Sequence, residues 1–224
     1  MPGRADPPDM DRPLYLVDVF ARERYAGNQL AVVTDADDTG EKTLWMTQQP
    51  PEFGERLDHA ALAAVLGLEP DDLDPEWPVR VVSTGLPTIV VPLADRDALE
   101  RIDLDRAAYD AVTGDREAKN VLAVCREPRE AASDFAVRVF APFYGVPEDP
   151  ATGSSNGCLA GYLVRHGDGD SVAVRVEQGY EMGRPSVLHL RASDGGTERA
   201  ADGDGGIQVE VGGRVRPVAE GRLG

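Results

Sequence analysis

The sequence predicts an α+β fold in which a strand-rich sheet curls around one buried helix. Two observations lead to this fold class. Short runs of β-branched and aromatic residues alternate with turns rich in Gly, Pro and Asp along most of the 224 residues. The stretch GSSNGCLAGYL, over 153–163, instead has small residues on every side. That pattern is typical of a helix that strands pack closely from several directions.

Most of the predicted elements are strands. Each is a run of apolar or alternating residues bounded by turn signals, such as the Gly27-Asn28 pair. Strands are predicted over 14–20, 30–34, 43–48, 79–83, 88–93, 120–126, 135–141, 171–178, 186–192, 207–211 and 215–218.

Helices are fewer and are recognised by their ends. The stretch 58–66 follows a break at two prolines, begins at Asp58, which is a good N-cap, and ends before Gly67, which is a good C-terminal stop. Further helices are predicted over 97–102 and 105–112 and from about Gly153 onward.

The charge balance excludes some functions. The net charge is −17, from 40 acidic against 23 basic residues, which disfavours nucleic-acid and membrane partners because both require a positive face. Only Lys42 and Lys119 among the basic residues are lysines. An acidic, lysine-poor protein is expected in a halophile, where concentrated salt screens charges; the alternative is an ordinary acidic protein.

Cysteine and histidine usage predicts a cytoplasmic protein without a metal site. Cys125 and Cys158 are far apart, and we interpret both as reduced thiols. His59, His166 and His189 are scattered and have no metal-ligand spacing. No apolar run is long enough to span a bilayer, and the N-terminus has no apolar core of a signal peptide.

Four motifs carry a resemblance to a known family. They are VDVF with AGNQLAVV over 17–33, VSTGLPTIVVPL over 82–93, EDPATGSSNGCLAGYL over 148–163, and QGYEMGRPS over 178–186. On these motifs the chain resembles the PhzF-like phenazine-biosynthesis family, although Gln29 stands where the family usually has proline.

The resemblance implies a fold like that of diaminopimelate epimerase. Such proteins have two similar lobes, each a mixed sheet rolled around a central helix, with the active site between them. The family's known or presumed isomerases need no metal or organic cofactor, and the best-known one moves a proton from carbon to carbon on dihydro-hydroxyanthranilate. With a boundary in the acidic stretch 71–78, we predict a disordered tail over 1–12, a first lobe with its connector over 13–78, and a second lobe over 79–224.

Two family motifs are absent from this sequence. Neither S-E-T, which carries the family's acid/base glutamate, nor G-H-P-T, which begins the first lobe's helix, occurs anywhere. Against the family pattern several tens of residues are missing near 37–41, so we expect a truncated first lobe. Glu41, Glu52 and Glu55 lie near that junction, in stretches that predict solvated loops, and are not expected to replace the lost glutamate.

The resemblance assigns catalytic roles to Asp149 and Ser154 and substrate binding to Gly153, at the start of the helix of small residues. A helix N-terminus suits a substrate carboxylate, and glycine lets the backbone approach it. Thr152 stands where epimerase relatives have an acid/base cysteine, and we assign it to substrate binding because its hydroxyl is too weak an acid. Asn28 is a further carboxylate-binding candidate. The alternatives are a helix-capping loop at Asp149 and a left-handed turn residue at Asn28.

The sequence therefore predicts a PhzF-like isomerase-family protein that acts on or binds a small carboxylate, with impaired catalysis. The alternative is a non-enzymatic binding or interaction protein that keeps only the carboxylate-binding helix terminus. A pseudogene product that folds poorly is a third reading. We also expect a homodimer, because the strands of a truncated first lobe need an apolar partner surface.

Overall fold

A computed structural model describes residues 12–20, 28–33, 43–195 and 206–223 of the chain. Within these residues the chain forms a twelve-stranded sheet and four α-helices. The strands are β1 (Arg12–Val19), β2 (Asn28–Val33), β3 (Thr43–Thr47), β4 (Glu52–Arg56), β5 (Arg80–Ser83), β6 (Thr88–Pro92), β7 (Asn120–Cys125), β8 (Phe135–Ala141), β9 (Val146–Asp149), β10 (Ser171–Gln178), β11 (Ser186–Asp194) and β12 (Ile207–Leu223). The helices are α1 (His59–Leu66), α2 (Arg96–Arg101), α3 (Arg106–Thr113) and α4 (Gly153–His166).

The sheet is mixed and curls around α4. Its strand order is β2-β1-β12-β11-β10-β8-β7-β6-β5-β4, with β3 paired to β12 and β9 to β8. The pairs β6–β7 and β8–β10 are parallel, whereas the other pairs are antiparallel. Helix α4 contacts β5 and β6 on one side and β11 and β12 on the other, so the two regions of sheet face each other across it. The predicted fold class, a rolled mixed sheet around a central helix, is confirmed.

Most predicted elements are confirmed, together with their local causes. Helix α1 begins after Asp58, whose carboxylate accepts a hydrogen bond from the Ala61 N–H at 3.1 Å. It ends at Gly67, which has φ 68° and so occupies the left-handed region. Asp95 and Asp105 cap α2 and α3 in the same manner.

The strand pair predicted over 207–211 and 215–218 is wrong, because the structure has one continuous strand, β12. The sequence pattern indicated a turn at Gly212 and Gly213, yet both lie within the strand. A Cβ atom on Gly212 would lie 2.6 Å from Cδ2 of Trp45, and one on Gly213 would lie 2.2 Å from Cδ1 of Phe20. These glycines therefore make room for aromatic rings.

Two strands, β4 and β9, were not predicted. Strand β4 follows the two prolines that indicated a break, and it pairs with β5. Glu52 and Glu55 consequently lie on a strand and not in a loop, although both are exposed as expected. Strand β9 pairs irregularly with β8, with a shift between Val139 and Ala141.

The curled sheet has a hydrophobic core on each face. Along β6, Ile89 and Val91 belong to the core beneath α1, α2 and α3, while Val90 belongs to the core around α4. On β7, Val121 and Leu122 divide in the same way. Burial on both faces explains why these strands read as continuous apolar runs and not as alternating ones.

The predicted lobe boundaries stay a prediction. Across the stretch 71–78, β4 pairs with β5 and α1 packs against α3. The predicted tail lies outside the described residues except for Arg12, which begins β1. Among the helices that the structure describes, none is long and apolar enough to cross a membrane.

Candidate functional site

Helix α4 carries a glycine stripe, formed by Gly153, Gly157 and Gly161. The spacing of four places the three on one helical face. They lie against Phe20, Gln48 and Pro51, in that order. The nearest side-chain atoms are 3.3, 3.1 and 2.7 Å from the positions that Cβ atoms would occupy. The stripe therefore lets other segments of the chain lie directly on the helix backbone.

A buried polar network holds the first turn of α4 from behind. The Ser155 hydroxyl is 3.1 Å from the Thr88 hydroxyl and accepts a longer hydrogen bond, 3.5 Å, from the Asn120 amide. The Thr84 hydroxyl donates to the Ser154 carbonyl oxygen at 3.5 Å. Thr84 and Thr88 belong to the motif VSTGLPT, so this motif positions the helix start.

The buried amide of Gln178 fixes the loop before α4. This side chain is 1% exposed. Its Nε2 donates to the Asp149 carbonyl oxygen at 2.7 Å and to Thr152 Oγ1 at 3.0 Å. Its Oε1 accepts from the Thr152 N–H at 3.1 Å and from Asn156 Nδ2 at 2.9 Å. One side chain thus ties the loop to the end of β10, which explains why the motif beginning at Gln178 accompanies the motif containing Asp149.

Thr152 orients the carboxylate of Asp149. Because Gln178 donates to Thr152 Oγ1, the threonine proton is directed to Asp149 Oδ2, 2.7 Å away. Thr152 is also the N-cap residue of α4, but its side chain makes no capping hydrogen bond. The Thr152 hydroxyl therefore donates to Asp149 and does not cap the N–H groups of the first turn of α4.

Strand β9, which carries Asp149, is anchored by a buried ion pair. Arg138 is 8% exposed. Its guanidinium binds both carboxylate oxygens of Glu148, at 2.9 and 2.8 Å. It also donates to the carbonyl oxygens of Leu99 and Ile102, at 3.1 Å each. The glutamate in the sequence EDPATGS therefore positions the neighbouring aspartate.

A cavity of about 610 Å³ lies in front of the start of α4. Its polar side chains are Gln48, Asp149, Thr152 and Ser154, and its apolar ones include Phe20, Leu44, Met46, Val211 and Val215. Leu44 is 59% exposed and Met46 is 64% exposed, so the apolar wall is open to solvent. Of the described residues that line the cavity, Asp149 is the only titratable one.

The structure brings together four of the five residues predicted for the site. Asp149, Thr152, Gly153 and Ser154 all line the cavity. Asn28 begins β2, where its backbone pairs with Val19, and its side chain lies outside what the structure describes.

Sequence reasoning missed Gln48 and Phe20. Their distance along the chain from α4 conceals their role. The one available signal was the position of Phe20 within the motif VDVF, which matches the family. Phe20 has φ 61°, an uncommon conformation for a bulky residue, and its carbonyl oxygen accepts from the Val187 N–H at 2.9 Å.

The histidines lie elsewhere. Burial, together with the charges of nearby arginines, lowers the pKa of His166 to about 4. The pKa of His189 is lowered by burial and then by Arg175 and other arginines. His59 Nε2 is 3.0 Å from the Trp77 carbonyl oxygen. None of the three lines the cavity that the described residues form.

Both cysteines are buried in the hydrophobic cores. Burial raises the pKa of Cys125 to about 11 and also raises the pKa of Cys158. Thiols with raised pKa values are poor nucleophiles, since the thiolate is the reactive form. In the part of the chain that the structure describes, no group of three or more His, Cys, Asp or Glu side chains could hold a metal ion.

Comparisons with known proteins agree with this architecture. Residues 37–221 match the family model described as phenazine biosynthesis-like protein. An uncharacterised isomerase from Mesorhizobium japonicum is 30% identical over 213 residues, covering 92% of this chain and 68% of the relative. The trans-2,3-dihydro-3-hydroxyanthranilate isomerase of Pseudomonas aeruginosa is 33% identical over 184 residues, covering 78% of this chain and 57% of the relative.

The solved structures give the fold independently. The crystal structure of a PhzF-family phenazine biosynthesis protein from Bacillus anthracis superposes with a TM-score of 0.70 at 23% identity, covering 88% of this chain and 65% of that one. The chain thus spans between about half and about two thirds of the length of the curated relatives that it matches. The family-model match, the identity to curated isomerases and the rolled sheet agree, and the chain belongs to the PhzF-like, phenazine biosynthesis-like family of isomerases.

Proposed function

We propose that the chain binds a small carboxylate at the start of α4 and has lost most of the proton transfer from carbon to carbon. The observation that carries the proposal is the composition of the cavity wall. It combines the first turn of a helix with one carboxylate, that of Asp149, among the described residues that line it.

Carboxylate binding follows from the chemistry of this helix end. The first N–H groups of a helix carry a partial positive charge and need acceptors from outside the helix. Gly153 and the Phe20 ring that lies against it both line the cavity, and Ser154 can donate through its hydroxyl. Among the described residues this hydroxyl has no hydrogen-bond partner, so it is available to a ligand. The net charge of −17 makes such a local donor site necessary for any anionic ligand.

Impaired catalysis follows from the presence of one carboxylate among the described residues that line the cavity. Proton transfer to carbon needs a base held about 3 Å from the substrate and shielded from water. Asp149 Oδ2 already accepts the Thr152 proton. Glu52 and Glu55 are exposed on β4 and do not line the cavity, and Glu41 lies outside the described residues. The absence of S-E-T and G-H-P-T from the sequence supports the same conclusion.

The test is proton exchange in deuterated buffer, followed by NMR on dihydro-hydroxyanthranilate and related cyclic acids. We expect no exchange that depends on the protein, together with binding of the same acids by calorimetry. Ser154→Ala should weaken binding by about tenfold or more, since it removes a hydrogen bond to a charged group. Ser193→Ala, on the exposed face of β11, is the matched control and should bind normally.

Two results would contradict the proposal in different ways. Protein-dependent exchange that disappears in Asp149→Asn would show that catalysis persists. Absence of binding by any acid in the panel would remove the carboxylate site itself.

We also propose a homodimer as the assembly. The support is the exposure of Leu44 and Met46 beside the cavity, since exposed apolar patches mark interaction surfaces. Light scattering at high salt checks this, and a stable monomer would contradict it. The halophilic source and the cytoplasmic location stay predictions from composition.

A further inference from the structure

Gln48 occupies an unusual place in the cavity wall. It follows β3, and its backbone N–H donates to the Val209 carbonyl oxygen at 2.9 Å, which fixes its backbone against β12. Its side chain lies across Gly157, the middle member of the glycine stripe. Phe20 and Pro51, which lie against the other two glycines, are apolar. Gln48 and the Thr84 hydroxyl both lie against Gly157, and of these two residues only Gln48 lines the cavity.

The Gln48 side chain fits this place closely. A Cβ atom on Gly157 would lie 3.1 Å from Cγ of Gln48, 3.4 Å from its Cδ and 3.2 Å from the Thr84 hydroxyl. Gly157 thus provides the space in which the glutamine lies. An alanine at Gly157 would require the glutamine side chain to move by a few tenths of an ångström.

The carboxamides of Gln48 and Gln178 differ in the hydrogen bonds that they make to the described residues. Gln178 makes four hydrogen bonds within the protein. Among the residues that the structure describes, the Gln48 carboxamide makes none, and Gln48 lines the same cavity as Asp149 and Ser154. A carboxamide can both donate and accept, so it can pair with a hydroxyl, an amine or a carbonyl.

We propose that Gln48 determines specificity by binding a second polar group of the ligand. Gly157 lies one turn beyond Gly153 along α4, which is about 6 Å. The favoured ligand is therefore a small acid with a hydroxyl, amino or carbonyl group about that distance from its carboxylate. The inference rests on the proposed function, because the carboxylate at the start of α4 sets the position from which that distance is measured.

The test compares benzoate with 4-hydroxybenzoate, which differ by one hydroxyl across the ring from the carboxylate. Calorimetry measures the Kd of each acid for the intact chain. The wild-type protein should bind 4-hydroxybenzoate about three- to tenfold more tightly, as expected for one added neutral hydrogen bond. Gln48→Leu should abolish this preference and leave benzoate binding within about twofold.

Two further variants separate the role of Gln48 from general damage. Gln49→Leu makes the same change at the next residue, which is exposed and does not line the cavity, and should keep the preference. Gly157→Ala keeps the glutamine but displaces it, and should reduce the preference at unchanged fold, checked by circular dichroism.

Each outcome bears on the inference. Loss of the preference in Gln48→Leu and its reduction in Gly157→Ala, together with an unchanged preference in Gln49→Leu, support it. An unchanged preference in Gln48→Leu overturns it and leaves the carboxylate site intact. If the wild-type protein binds neither acid, the proposed function fails and the inference fails with it.

Discussion

The two ends of α4 differ in how the chain packs around them. At the N-terminal end, polar side chains hold the helix from behind, and a cavity lies open in front. At the C-terminal end, Tyr162 is fully buried and packs against the rings of Trp77 and His166. Its hydroxyl donates to the Pro78 carbonyl oxygen at 2.7 Å.

This difference shows how one helix serves both stability and binding. An aromatic cluster closes the C-terminal end, so burial of apolar surface contributes to the stability of the fold there. At the N-terminal end, hydrogen bonds fix the backbone without filling the space in front of it, which leaves a rigid but accessible site. The glycine stripe shows the same gradient, since its contacts tighten from 3.3 Å at Gly153 to 2.7 Å at Gly161.

The largest effect is expected from Gln178→Leu at the N-terminal end. The change leaves the Thr152 N–H, the Asp149 carbonyl oxygen and the Asn156 amide without this partner, and unsatisfied buried groups cost about 1–3 kcal/mol each. We expect the free energy of unfolding to fall by about 3 kcal/mol, measured by urea denaturation, and acid binding to be lost. Gln208→Leu, exposed on β12, is the control and should change little.

If Gln178→Leu and the control had the same free energy of unfolding, the contrast between the two ends of α4 would be contradicted. In that case the polar network would not hold the start of α4, and the rigidity of the cavity would need another source.

A smaller effect is expected from Gly161→Ala, near the closed end. The new Cβ would lie 2.7 Å from Pro51 Cβ, so the segment before β4 must shift, at about 2 kcal/mol. Gly157→Ala, with a nearest contact of 3.1 Å to a flexible side chain, should cost less than about 1 kcal/mol. If thermal denaturation showed equal losses of stability in the two variants, the gradient along the stripe would be contradicted.

The smallest expected effect is the pH dependence of stability that comes from His166, at the C-terminal end of α4. His166 is neutral in the folded protein because its pKa is lowered from 6.5 to about 4, so the unfolded chain binds more protons than the folded one between those values. Stability is therefore fully present above pH 6.5 and decreases as the pH falls towards 4. Allowing for partial exposure, His166 should account for about 1 kcal/mol of that loss.

His166→Phe isolates this contribution. The phenylalanine should remove the part of the pH dependence that comes from His166, measured as the difference in unfolding free energy between pH 7 and pH 4.5. A wild-type and a variant protein with parallel pH curves would show that His166 is not held neutral by its surroundings.

Features set by local chemistry were predictable from the sequence. Asp58 and Gly67 bound α1 as expected, because capping depends on the residues at the helix end itself. The burial of α4 followed from its small residues, and Asp149, Thr152, Gly153 and Ser154 do share one cavity.

Features set by distant partners could not be predicted. The sequence pattern predicts a turn at Gly212 and Gly213, because the rings of Trp45 and Phe20 that cover them come from the other end of the chain. The roles of Gln48 and Gln178 depend likewise on contacts more than 20 residues away. Strand β9 was not predicted because its sequence does not alternate between apolar and polar residues, and its pairing with β8 is irregular.

The central claim, that the open end of α4 binds carboxylates, is tested most directly by NMR of the backbone amides during a titration with benzoate. The account predicts saturable shifts of the Gly153, Ser154 and Ser155 amide signals, because these N–H groups of the first turn would acquire an acceptor. The amides of His166 and Gly167, at the closed end, should stay unchanged. Shifts confined to the closed end, or no saturable shift at the first turn, would contradict the account.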